Sequence, residues 1–154
     1  MNRRTFLAAI AAVTMTLVAA CGAPAAPAGG NAITAKDPWA RAAKAGGVSA
    51  AYMTLANAGA ADKLVSASVP DYSMMVEVHQ TKMDASGMMQ MAPVQGGLDV
   101  PANGSVELKP GGYHIMIMNL KQDMMTGKTI KLTLKFQSGK EMTLDVPVKD
   151  STGM

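Results

Sequence analysis

Thr129-Ile-Lys-Leu-Thr-Leu-Lys-Phe136, then Gln137-Ser-Gly-Lys140, then Glu141-Met-Thr-Leu-Asp-Val-Pro-Val148 is the stretch from which the architecture can be read. Ile130, Leu132, Leu134 and Phe136 alternate with Thr129, Lys131, Thr133 and Lys135. Met142, Leu144, Val146 and Val148 alternate in the same way with Glu141, Thr143, Asp145 and Pro147. A period of two puts one set on each face of a pleated strand, and the polar, glycine-containing Gln137–Lys140 segment predicts a hairpin turn. Lys131 and Lys135 then belong to a solvated face. Pro147 cannot donate to a ladder, which predicts an edge or a bulge at that point.

Outward from this hairpin, similar short runs occur at Ala51–Asn57, Leu64–Val69, Met75–Met83, Met88–Val94, Ser105–Leu108 and Tyr113–Leu120. Clusters such as Pro101-Ala-Asn-Gly104 and Pro110-Gly-Gly112 separate them, and no stretch after residue 31 carries a helical stripe. Many short, regularly spaced strands predict an all-β, antiparallel sandwich or barrel of a single domain spanning residues 32–150, with 151–154 as a tail. Trp39 and Tyr52 are expected in its core.

The first residues belong to a different problem. Asn2-Arg3-Arg4 is a positive n-region, and Phe6 to Val18 is an apolar stretch too short to span a bilayer. Val18-Ala-Ala-Cys21 resembles the bacterial lipobox, which implies removal of residues 1–20 and acylation of Cys21. Arg3-Arg4-Thr-Phe-Leu7 also resembles a twin-arginine export signal, leaving the route open between the two pathways. Residues 21–31, rich in Ala, Pro and Gly, offer no face to bury and read as a tether.

Removing Arg3 and Arg4 leaves twelve basic against eleven acidic residues, so the basic isoelectric point carries no argument for nucleic acid. Cys21 is the only cysteine. A blue-copper electron-transfer site, which needs a thiolate within the fold, is therefore excluded. With two histidines and no recognisable nucleophile motif, hydrolytic catalysis has little to build on, and no enzymatic activity is expected.

Ten of the fifteen methionines lie between Met74 and Met125, the region that also holds both histidines. In the run Met75–Met83, strand parity opposes Val76 and Val78 to Glu77, His79, Thr81 and Met83, which predicts an accessible side for His79. His114, Met116 and Met118 share one face, and Met89 and Met91 share another parity class. Imidazole and thioether are donors that select copper(I) over hard, oxygen-preferring ions. They also remain competent in an oxidising compartment, where a thiolate is at risk. Met83, Met88, Met118, Met124 and Met125 are candidates either for an auxiliary soft patch or for gap-filling.

The chain here resembles the periplasmic copper chaperones called PCuAC. The resemblance runs through Asp37-Pro-Trp-Ala-Arg41, Ala51-Tyr-Met53, Leu55-Ala-Asn-Ala-Gly59, Val76-Glu-Val-His79, Met89-Gln-Met-Ala-Pro-Val94, Val100-Pro101 and Val106-Glu-Leu-Lys-Pro-Gly-Gly-Tyr-His-Ile-Met-Ile-Met118. It implies a cupredoxin-like fold, a copper(I) cargo, and His79, Met91, His114 and Met116 as ligands. It also implies delivery to the copper-site subunit of cytochrome c oxidase, directly or with a Sco-type thiol protein. The spacing departs from the family pattern by one residue on each side of Met91, with eleven residues before it and twenty-two after it. Turns at Ala85-Ser-Gly87 and Gln95-Gly-Gly97 are the places to absorb them, and Met89 stays open as the alternative to Met91. Copper sequestration would use the same ligands, and a lipid-anchored β-sandwich interaction module without metal is the plainer alternative.

Overall fold

The computed structural model describes residues 33–150; the signal, Cys21, the tether and the C-terminal tail lie outside the described residues. Ten strands follow one another: β1 (Ile33–Arg41), β2 (Ser49–Asn57), β3 (Asp62–Ser68), β4 (Met75–Met83), β5 (Met89–Pro93), β6 (Leu98–Val100), β7 (Gly104–Leu108), β8 (Tyr113–Met118), β9 (Thr129–Phe136) and β10 (Glu141–Lys149). Hydrogen bonding links them in the order β5-β4-β8-β7-β2-β1-β10-β9-β3-β6, with β8 also pairing β2. The sheet curls so that its two halves face each other. The fold is the expected all-β, cupredoxin-like sandwich.

Alternation accounts for the core. Ile130, Leu132, Leu134 and Phe136 of β9 are buried, as are Val146 and Val148 of β10, while Met142 and Leu144 pack at its margin. Leu55, Val78, Ile115 and Ile117 answer them from the other half. The β9–β10 hairpin closes with Phe136 N–H donating to the Lys140 carbonyl at 2.8 Å, and Gly139 takes the left-handed φ of 84° that the turn requires. Lys131 and Lys135 lie directly across from Asp145 and Glu141 and pair with them at 2.9 and 2.7 Å on the exposed face.

Pro147 sits where β10 has a neighbour on one side only. It lies opposite Thr129 of β9, whereas β1 pairs with β10 in parallel at Val148 and Lys149 alone. The Val148 N–H donates toward β9, to Lys128 O at 2.7 Å, so alternation turns the Pro147 nitrogen to the open side. That short parallel contact and a single parallel pair between Leu108 and Tyr113 interrupt an otherwise antiparallel arrangement.

Two strands went unanticipated. β6 is only three residues long. In β1 the alternation is broken at Asp37-Pro38, where the pairing shifts from Lys36 opposite Thr54 to Trp39 opposite Tyr52, and Asp37 has a φ of 49°. Three steps along β1 match two along β2, a one-residue bulge that reverses the parity of everything after it.

Leu132 has no exposed surface. Leu132→Ala is therefore expected to cost about 3 kcal/mol of unfolding free energy in urea titrations, against less than about 1 kcal/mol for Lys131→Ala. Equal losses would contradict the assignment of faces.

Candidate metal centre

Register assembles the site. β4 and β8 are antiparallel, with Val76 opposite Ile117 and Val78 opposite Ile115 facing the core, and with Glu77 opposite Met116 and His79 opposite His114 on the other face. On the far side of β4, Thr81 lies opposite Met91 and Met83 opposite Met89. On the far side of β8, Ala50 of β2 lies opposite Met116. Both histidines and the thioethers of Met89, Met91, Met116 and Met118 therefore share one face of the sheet. Met91 is one row from His79 along that face, a diagonal that a long side chain spans, and Met89 is two rows away.

A cleft of about 280 Å³ opens on this face, lined by Thr81, Met89, Met91, His114 and Met116, with Arg41 and Tyr52 on its far wall. His79 does not line it; its ring is 6.0 Å from the His114 ring, centroid to centroid. The Tyr52 ring is 6.4 Å from His114 and 4.5 Å from Trp39, tilted against both, and carries the row of rings to β1. Met91 is 60% exposed, whereas His79 and His114 are 9% and 5% exposed.

At 9% exposure His79 is buried, which corrects the accessible position expected from parity; its ring neighbours are His114 across the strand pair and the Glu77 carboxylate. Tyr52 is buried as expected, though on the site face and outside the cluster between the sheets, whereas Trp39 is only half-buried. The bulge at Asp37-Pro38 turns Trp39 to the site face, where the alternation of β2 places Tyr52 opposite it. Of the auxiliary methionines, Met124 is buried, which makes it packing. Met83, Met88 and Met125 are exposed and fill no gap, and Met118 is half-buried opposite Met75. Neither Met83 nor Met118 lines the cleft.

Each imidazole has one nitrogen occupied and one free. His79 Nε2 is 3.0 Å from the Glu77 carboxylate, a bond that places the proton on Nε2 and leaves Nδ1 as the lone pair. That Nδ1 is buried and has no hydrogen-bond partner. An orphaned buried acceptor is costly, and it fits a position completed by a bound cation. His114 Nδ1 donates to the Gly112 carbonyl at 3.2 Å, leaving Nε2 free. The same carbonyl accepts the Thr81 N–H at 3.0 Å, tying the Lys109–Gly112 turn to β4. Burial holds the His114 pKa below its ordinary 6.5; the Gly112 hydrogen bond opposes this, and the neighbouring His79 and Arg41 reinforce it. The neutral, metal-competent ring is thereby favoured.

Two imidazoles, each with a free nitrogen, on a sheet face that also carries thioethers supply donors of the softness that suits copper(I). Among the described residues no group of three or more His, Cys, Asp and Glu side chains is placed to hold a metal, which leaves no competing harder site there. Sequence reasoning assigned no role to Glu77, Gly112 or Arg41. Glu77 could have been found, since a carboxylate two residues before a strand histidine shares its face. The Gly112 carbonyl and Arg41 could not, because both reach the site through folding.

Comparison with known proteins agrees with this architecture. Residues 33–148 match the model of the LpqE-like family. The "Putative lipoprotein Lxx21020" of Leifsonia xyli subsp. xyli is 31% identical over 123 residues, covering 80% of this chain and 73% of that one. The solution structure of the copper(I) form of DR1885 from Deinococcus radiodurans superposes with a TM-score of 0.58 at 31% identity, over 80% of this chain and 84% of that one. A copper-bound PCuAC domain from PmoF2 shares the fold with a TM-score of 0.62 at 23% identity, over 77% of this chain and 93% of its own length. With residues 33–148 of its described 33–150 matched in this way, the chain belongs to the LpqE-like family and carries a PCuAC-type domain.

Proposed function

We propose that this protein is an extracytoplasmic copper chaperone that holds one copper(I) through His79 Nδ1, His114 Nε2, Met116 and Met91. The observation that carries the reading is the pairing of His79 with His114, with Met116 and Met91 one row away on the same face and one buried imidazole nitrogen left unpartnered. Met91 is preferred to Met89 because its row is nearer to His79. Two neutral imidazoles and two neutral thioethers leave the cation's charge in place, so an acceptor with thiolates can take the ion. Residues 1–20 serve as the export signal, and a lipid on Cys21 holds the domain near a membrane by way of the 21–31 tether. The acceptor is the copper centre of cytochrome c oxidase, reached directly or through a Sco-type thiol protein. The protein is not an enzyme on this reading. Sequestration differs only in partner: loss of oxidase activity in copper-starved deletion cells supports delivery, and copper sensitivity without that loss supports storage.

Anaerobic titration of the chain from Gly22 onward against a chromophoric copper(I) chelator should show one tight equivalent. His79→Ala, His114→Ala and Met116→Ala should each abolish it, and Met91→Ala should weaken it more than Met89→Ala. No stoichiometric binding by folded wild type would sink the chaperone reading and leave an interaction module. Glu77→Gln keeps the shape but removes the carboxylate that orients His79, and should weaken copper(I) binding by about 10- to 100-fold.

Protons compete for His114 Nε2. Because its folded pKa lies below 6.5, the ring should stay available to copper(I) below that pH, with affinity falling as pH drops through the depressed value. The metal-free fold obeys the same sign. Its His114 contribution is fully present above pH 6.5 and is lost as pH falls toward the folded pKa, because the unfolded chain takes the proton more readily. Urea midpoints followed against pH should show this slope in wild type and a flatter one in His114→Gln.

A further inference from the structure

Arg41 is a cation built into the wall of a site that binds a cation. The Asp37-Pro38 bulge sends Ala40 into the core beside Ala51 and turns Arg41 to the cleft face. Its backbone is held there, because the Ser49 hydroxyl, fully buried, donates to the Arg41 carbonyl at 2.5 Å. The Ala42 N–H donates to the Lys149 carbonyl at 2.8 Å. The side chain lines the cleft with Met91, Met89, His114 and Met116, and is close enough for its charge to act on His114. Among the described residues the guanidinium enters none of the six ion pairs.

An unpaired guanidinium next to a bound copper(I) repels it and weakens the site. The arrangement is favourable only when an anion enters the cleft. Guanidinium binds carboxylate in a bidentate, planar fork, and the cleft of about 280 Å³ admits a small molecule or the tip of one side chain. A ligand that both needs a soft cation and carries negative charge is a thiol with a neighbouring carboxylate.

We propose that Arg41 docks the carboxylate of an anionic thiol that exchanges copper(I) with this site. This rests on the copper reading above. The exchange begins as the thiolate sulfur donates a lone pair to copper and the copper–sulfur bond to Met91, the ligand most open to solvent, breaks with its electron pair returning to the thioether. The bonds to Met116, His114 and His79 then break in the same way, each pair returning to its donor, as further thiolate takes their places. The thiol proton passes to solvent and copper remains copper(I) throughout. Arg41 is thus a specificity residue for the exchange partner, not a copper ligand.

The test loads wild type, Arg41→Gln and Arg41→Lys with copper(I). It follows transfer to mercaptoacetate, to neutral mercaptoethanol and to cationic cysteamine in stopped flow, with circular dichroism and copper stoichiometry measured on each protein. Arg41→Gln should slow transfer to mercaptoacetate about tenfold relative to cysteamine, and Arg41→Lys should keep part of the preference. Rising salt should erase the preference in wild type, a check that requires no variant to fold. Copper loading with the same thiol ranking in wild type and Arg41→Gln, or a wild-type ranking indifferent to salt, overturns the role of Arg41 alone. Failure of wild type to load copper overturns the chaperone reading and this proposal together.

Discussion

The pairing of β4 with β8 is the constraint from which the site follows. Val76 and Val78 must meet Ile117 and Ile115 in the core, and that burial sets which residues stand opposite each other. Once it is satisfied, His79 has no choice but to face His114, and Glu77 to face Met116. A slip of one residue would turn the histidines into the core between the sheets and the valines onto the outer face, at a cost of several kcal/mol in lost apolar burial. The chemistry of the outer face is thus specified by the hydrophobicity of the inner one.

The supporting groups sit on backbone that the fold cannot easily move. Gly112 presents one carbonyl both to Thr81 and to His114, so the turn that ends at Tyr113 positions the second histidine and staples itself to the strand carrying the first. Glu77 positions the first histidine from its own strand. The bulge in β1 delivers Trp39 and Arg41 to the same face, and Tyr52 connects Trp39 to His114 through tilted ring contacts. A buried, preorganised pair of imidazoles meets an exposed edge of thioethers. Cover on one side and openness on the other suit the proposed carrier of a transferable ion.

The methionines divide by position in the sheet. Met53 and Met124 are buried and pack, while seven of the nine large apolar side chains exposed among the described residues are methionine. Several of these cluster along the β4–β5 hairpin, where Asp84 anchors the turn by accepting from Ser86, Met88 and Gln90. Those hydrogen bonds hold the Asp84 pKa down to about 2. The hairpin is therefore ordered by its own polar contacts and does not depend on burial of its thioethers.

Much of this was legible in the residues alone. Alternation in 129–148 and the punctuation between shorter runs determined an all-β sandwich, because burial of one face of a pleated strand demands a period of two. The same parity grouped His114 with Met116 and separated His79 from Val78, and a specific motif suggested which donors act together. What the tertiary structure decided was distance and cover. Only pairing between strands far apart in the chain could bring His79 opposite His114, bury both rings, and rank Met91 ahead of Met89 by row. The bulge at Asp37-Pro38 is a local irregularity whose consequence, the placing of Trp39 and Arg41 at the site, depends on the partner strand against which the register slips. Periodicity is a property of one strand and can be read along the chain; registry is a property of two, and it exists only once they have packed.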